Sequence, residues 1–205
     1  RFATQGVALV HNLMCGTFTC VGGGTGTRYT PYHIRHRTEV AGFMHFLHGD
    51  NRFYNNIFIQ GISQQPDPRR GEPNEKERIC GTWQFDGYPT YDEWITWFDL
   101  DVARPDMGKL AKFHESHLPV WAKGNVYLGG AKPWQHETDC LVIDEAPSIT
   151  LIEAEGAAVL NTDVYELIAD FRAGMVNSDI LGKAFEPEQR FESPDGSAIV
   201  FDRDY

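Results

Sequence analysis

The sequence has few cysteines, few cations and no long apolar run, and each shortage removes a class of protein. Cys15, Cys20, Cys80 and Cys140 are the four cysteines in 205 residues, and no two stand as a C-x-x-C pair. That is too sparse for a disulfide framework in a chain this long. Scattered thiols favour a reducing compartment such as the cytoplasm, while leaving localisation open. Lys+Arg number 18 against Asp+Glu 29, for a net charge of -11. So acidic a surface repels nucleic acid and anionic membranes, and it offers a polyuronate no attraction; neutral small molecules and neutral glycans stay open. No apolar stretch approaches the ~20 residues of a membrane span, and no leader peptide is legible. The chain begins with Arg rather than Met, as an internal fragment, a processed product or a nicked subunit does.

What is present points to short strands. Hydrophobic residues make up 41% of the chain, enough for a packed core, and 20 Gly, 11 Pro and 13% aromatics favour tight turns over long helices. The run His48 to Ile59 (HGDNRFYNNIFI) is the most informative: a polar glycine turn, paired asparagines, then an apolar strand. One rung of a parallel β-helix reads this way, with an asparagine at the corner able to bond neighbouring backbone. Gln5 to Gly16 repeats the unit with Asn12 at its bend, and Asn125 before Val126-Tyr127 repeats it again. Asn12 and Asn56 stand 44 positions apart, two solenoid periods or one period with a long loop inserted.

Between these units, Thr17 to Glu39 reads as a protruding loop and Val40 to Leu47 as a strand stacked in the core. Gln64 to Arg78 is a charged, proline-rich, solvated excursion. Thr90 and Glu93 have capping-box spacing before Trp94, Ile95, Trp97 and Phe98, which predicts a short helix over about 90–100 with Trp94, Trp97 and Phe98 as its buried face. A further helical turn or two fits 105–115. Beyond a boundary near 140–148, Ile149 to Ala154, Val164 to Phe171 and Ala198 to Phe201 are candidate strands, and Ser193-Pro194-Asp195-Gly196 is a hairpin turn. The expected fold class is therefore all-β. Residues 1–140 form terminal rungs of a parallel β-helix with long loops, and 141–205 an antiparallel β-rich segment, with one or two short helices between.

Several blocks carry a family resemblance. They are Gln5-Gly6 with Asn12-Leu13; Pro31-Tyr32-His33 and His36; Thr38-Glu39-Val40-Ala41-Gly42-Phe43; and Gly49-Asp50 with Arg52 to Ile59. Gly81-Thr82, Glu93, Pro119-Val120, Gly129 to Ala131 with Pro133, Ser193 to Gly196 and the closing Asp204-Tyr205 follow in order. On these the chain resembles the C-terminal part of glycoside hydrolase family 120, β-xylosidases built on a right-handed parallel β-helix. The resemblance implies a retaining glycosidase that removes terminal xylose from xylo-oligosaccharides, using two carboxyl groups ~5–5.5 Å apart. It also implies that both carboxylates lie in rungs upstream of Gln5 to Gly16, so no catalytic residue is assigned in this chain, and the isolated chain is expected to be inactive. The expected partners are a xylo-oligosaccharide or related neutral glycan and the N-terminal remainder of the same protein or a complementary chain. An oligomer is compatible with this, and no cofactor is expected.

Tyr32, His33, His36 and Glu39 are the candidate substrate-binding residues, because aromatic rings stack on pyranose faces while His and Glu bond hydroxyls. Asp50 and Glu72, 22 positions apart, have the spacing of a retaining pair, but Asp in a Gly-Asp-Asn-Arg corner commonly caps a turn and Glu72 lies in the proline-rich excursion. His33/His36 and His45/His48 have i, i+3 spacing, but His33/His36 read as a loop pair and an extended run sends His45 and His48 to opposite faces, so no metal site is assigned. Gly22 to Gly26 lacks the Lys-Ser/Thr of a phosphate loop. Two rivals remain: a polysaccharide lyase on the same solenoid, which calls for a cationic groove, and a non-catalytic glycan-binding or assembly module.

Overall fold

The computed structural model describes residues 5–16, 26–60, 79–98, 116–154, 156–185 and 187–201. Strand–corner–strand units recur along it. β1 (Gln5–Val10) and β2 (Leu13–Cys15) form the first, and β3 (Gly26–His33) and β4 (Val40–Phe46) make a hairpin that interrupts the series. β5 (Gly49–Tyr54) and β6 (Ile57–Ile59) form the second unit, followed by helix α1 (Tyr91–Phe98). β7 (Val120–Lys123) and β8 (Val126–Leu128) form the third, and β9 (Leu141–Ile143) adds one more strand.

The units stack in parallel and in register. One sheet has the order β1-β5-β7 and the other β2-β6-β8-β9. Leu9 lies beside Phe53 and Phe53 beside Ala122; Met14 lies beside Phe58, and Phe58 beside Tyr127. Like residues therefore stack on like. Leu9, Phe53 and Ala122 join Phe85, Tyr88, Val120 and Trp134 in one apolar cluster, and Met14, Phe58 and Tyr127 join Cys80 and Ala131 in another. The Phe58 and Tyr127 rings stack at 5.2 Å with 5° between their planes. Each such buried aromatic contributes about 1.5–3 kcal/mol. Every residue of β5 is buried, whereas β1 is half-buried throughout, because β5 has a strand on both sides and β1 pairs only with β5 among the described residues.

The corner between the sheets has one recipe. His11, Asn55 and Gly124 adopt left-handed backbone (φ 54, 53 and 70), and each is followed by an asparagine. The left-handed residue turns the chain from one sheet into the other. His11 and Asn55 show that a side chain fits this backbone, but at Gly124 a Cβ would run into Asn55 Oδ1, so this corner takes glycine.

The C-terminal part begins with an antiparallel hairpin, β10 (Ile149–Ala154) and β11 (Ala157–Thr162). Helix α2 (Val164–Leu167), β12 (Val176–Asn177), helix α3 (Ser178–Leu181) and β13 (Val200–Phe201) follow, with β12 and β13 antiparallel. This segment covers the outer faces of the windings. Val164, Ile168 and Phe171 pack with Ile57 and Val126, while Val176, Leu181, Phe191 and Phe201 pack with Ala8, Val10, Tyr54 and Trp121. The Ser193 to Gly196 turn closes with Gly196 N donating to Ser193 O at 2.8 Å.

Four expectations change. The Thr17 to Glu39 segment contains a strand, β3, and Val40 to Leu47 pairs antiparallel with it instead of stacking in the windings. Apolar content alone does not distinguish those two uses of a strand. Val164 to Phe171 starts as a helix: Val164, Ile168 and Phe171 sit at i, i+4 and i+7 and reach the same apolar cluster, a helical period hidden by its aromatic and β-branched composition. In α1 Trp94 is a core anchor, against Leu47, Leu118 and Phe185, whereas Trp97 is half-exposed; the Phe98 side chain lies outside the described residues. The expected elements at 64–78 and 105–115 lie outside the described residues.

Candidate functional site

The four residues read as sugar contacts come together at the end of the β3–β4 hairpin. His33 Nδ1 lies 2.8 Å from Thr38 O, and Ile34 N donates to Glu39 O at 2.9 Å, so the hairpin end is locally closed. The Tyr32 ring lies over Gly42 on the paired strand, where any Cβ would strike it. His33, His36 and Glu39 are exposed. The end is docked rather than free. Arg35 Nη1 and His36 Nε2 lie 3.0 and 3.6 Å from Glu192 Oε1, and Gln189 Nε2 donates to His33 O. Residues 189–192 of the C-terminal segment thus brace the hairpin.

Asp50 belongs to a different construction. It sits in β5, buried, with a left-handed backbone (φ 51). Its Oδ1 accepts from Arg52 Nη1 at 2.6 Å and its Oδ2 from Phe185 N at 2.8 Å. Burial pushes the carboxyl above its ordinary range, opposed by the Arg52 charge and these hydrogen bonds. Arg52 also donates to Leu181 O at 2.5 Å and Lys183 O at 2.7 Å, and its guanidinium lies 4.5 Å from the Trp121 ring and 4.6 Å from the Phe191 ring. The pair ties residues 181–185 onto the second winding. Asp50 is therefore a clamp residue inside a strand rather than a turn cap, and Glu72 lies outside the described residues.

The asparagines form a ladder. Asn12 N and Nδ2 donate to Asn56 Oδ1 at 3.1 and 2.9 Å, and Asn56 N and Nδ2 donate to Asn125 Oδ1 at 2.9 and 3.0 Å. Asn125 Nδ2 then donates to Glu137 Oε1 at 2.8 Å. A second chain of donors reaches the same carboxylate. Trp134 N donates to Thr82 Oγ1 at 2.8 Å, Thr82 Oγ1 is 2.6 Å from Tyr127 Oη, and Tyr127 Oη donates to Glu137 Oε2 at 2.7 Å. Since Tyr127 donates onward and Thr82 accepts from Trp134, the Thr82 hydroxyl donates to Tyr127. Both chains run one way and converge on an acceptor-only carboxylate. Burial pushes the Glu137 carboxyl up, opposed by hydrogen bonds from Tyr127 and Asn125, and it also pushes up the Tyr127 phenol. The asparagine repeat is visible in the sequence. Glu137 is not, because it ends the ladder with a different residue type and stands only 12 positions after Asn125.

Other chemistry-bearing groups are diverted to packing. His48 is buried with its ring 4.7 Å from Phe46 and 6.1 Å from His117. Cys15, Cys80 and Cys140 are free thiols, and Cys140 is pushed up to about 11 by burial and by the Glu137 and Asp139 charges, which keeps it unreactive. Among the described residues no three His, Cys, Asp or Glu are grouped to hold a metal ion.

No family model matches the chain, and neither does any curated protein. Among solved structures, the complex of XylC with xylose is similar: 30% identity and a TM-score of 0.76 over 98% of this chain. The match covers 28% of that chain, so the sequence spans little more than a quarter of its length.

Proposed function

We propose that the chain is the C-terminal portion of a β-xylosidase-like retaining glycoside hydrolase of family 120, acting on terminal xylose of xylo-oligosaccharides. In this reading the stacked windings are the last turns of a right-handed parallel β-helix. Residues 1–140 supply those turns and their long loops, and 141–205 the cover over their outer faces. The observation that carries the proposal is the end-to-end likeness to XylC, solved with xylose, at 30% identity and covering 28% of that chain. The sequence resemblance from Tyr32 to Ile59 points the same way.

The catalytic carboxylates are proposed to lie on a segment upstream of this chain. A retaining mechanism needs two carboxyl groups ~5–5.5 Å apart on one substrate bond. Asp50 and Glu137, the buried carboxylates described above, are instead bonded to Arg52 and Phe185 and to Asn125 and Tyr127. Tyr32, His33, His36 and Glu39 would act as sugar contacts from the braced hairpin. The test is an assay on a nitrophenyl β-xyloside, with this chain alone and joined to its upstream segment. The expected result is release of nitrophenol only by the joined protein, with KM raised several-fold in Tyr32→Ala and His36→Ala and kcat nearly unchanged. Turnover by the chain alone overturns the placement of the carboxylates. A joined protein that binds xylobiose without cleaving it overturns the glycosidase reading.

A further inference from the structure

We propose that the groove between the corner column and the α2–Gly174 segment binds a single pyranose ring. The groove has a volume of about 330 Å³, and its floor is the stacked corner of three windings at His11, Asn55 and Gly124. Stacked strands are ~4.7–4.9 Å apart, so this floor is roughly 10 Å long, the reach of one sugar ring with its glycosidic oxygens.

Its lining combines two kinds of surface. Ile57 and Phe171 give apolar surface, suited to the C–H face of a pyranose, while Tyr165 and Arg172 give donors for its hydroxyls; His11 Nε2 is already within 3.3 Å of Asn55 Nδ2. Arg172 Nη1 donates to Ala169 O at 2.5 Å and to Phe171 O at 2.8 Å, which fixes the guanidinium. Its other nitrogens and the Tyr165 hydroxyl have no protein partner among the described residues. The groove is also held open in advance, because Asn55 Nδ2 donates to Gly174 O at 2.7 Å and ties the covering segment to the corner. Among the described residues no carboxylate lines it, in a chain of net charge -11. A neutral polyhydroxylated ring meets this combination better than a cation or a flat apolar molecule.

The choice of xylose as the sugar rests on the proposed function; the groove itself does not. The test is a titration of the full 205-residue chain with D-xylose and xylobiose, read by amide correlation spectra. Saturable shifts are expected at Asn55, Gly124, Tyr165 and Arg172. Arg172→Ala and Tyr165→Ala, both at exposed positions, should weaken binding about tenfold, a loss of ~1.4 kcal/mol. Ala169→Trp, which fills the groove, should abolish the shifts. No saturable shift with either sugar overturns the proposal, as do shifts that persist unchanged in Arg172→Ala and Tyr165→Ala. Groove shifts in a joined protein that cleaves no xyloside support this site and count against the glycosidase reading; cleavage with a silent groove does the reverse.

Discussion

Asp50 and Glu137 are both buried carboxylates pushed up by burial, yet Asp50 is matched by a cation and Glu137 by neutral donors alone. The difference follows their jobs. Asp50 and Arg52 fasten a segment about 130 positions away in sequence, and the pair can do so from one strand because each group bonds backbone in that segment. Glu137 closes a repeating internal ladder, where every winding supplies an amide and the last needs an acceptor. A charge pair therefore secures the cover, and a polarised amide column secures the stack.

Breaking the clamp should have the largest effect. Asp50→Ala leaves Arg52 buried without its counter-ion and should destabilise by about 3–5 kcal/mol, measured by denaturant unfolding. Residues 181–191 should also lose amide protection first. A similar loss with unchanged exchange in 181–191 would separate stability from fastening. Next comes the ladder. Asn56→Ala strands the Asn12 backbone N–H and the Leu9 carbonyl, at about 2–3 kcal/mol in the same experiment.

Glu137→Gln is gentler, about 1 kcal/mol at neutral pH, because Oε1 still accepts from Asn125 while the new amide faces Tyr127. Its signature lies in the pH dependence. The folded-state pKa of Glu137 is raised, so the folded chain holds this proton more firmly than the unfolded one. Stability from this group is full below its ordinary value of 4.5 and falls as pH rises through the folded-state pKa. The gap between native chain and Glu137→Gln should accordingly narrow from pH 4 to pH 7; a widening gap sinks the assignment.

The smallest effect is at the surface, where the capping box extends the comparison to an exposed carboxylate. Thr90 N donates to Glu93 Oε2 at 2.8 Å and Glu93 N to Thr90 Oγ1 at 3.2 Å. The Thr90 hydrogen bonds hold the Glu93 carboxyl below its ordinary range, so its contribution is present above pH 4.5 and lost as pH falls, opposite in sign to Glu137. Thr90→Ala should cost about 1 kcal/mol by thermal unfolding, with most of the loss confined to α1.

Local signals in the sequence were legible. The strand–asparagine–strand units, the capping box and the Ser193 to Gly196 turn rest on residues within a few positions of one another. Hairpin β3–β4 is not legible because an apolar strand carries no mark of its partner, nor is α2, because a helical period over eight residues competes with strand-like composition. Of the candidate site, the sequence grouped Tyr32, His33, His36 and Glu39 through their nearness along the chain. It offered no sign that Glu192 and Gln189 brace them.

By itself the sequence determined the repeated unit, since an asparagine at a bend before an apolar strand recurs at Asn12, Asn56 and Asn125 and rests on neighbouring residues alone. The tertiary structure alone decided which polar groups are structural. Arg52 meets Leu181 and Lys183, and Asn125 meets Glu137, only after the windings stack. The physical reason is burial: a carboxylate's role is set by the donors left to it once water is gone, and those donors come from segments far apart in the chain.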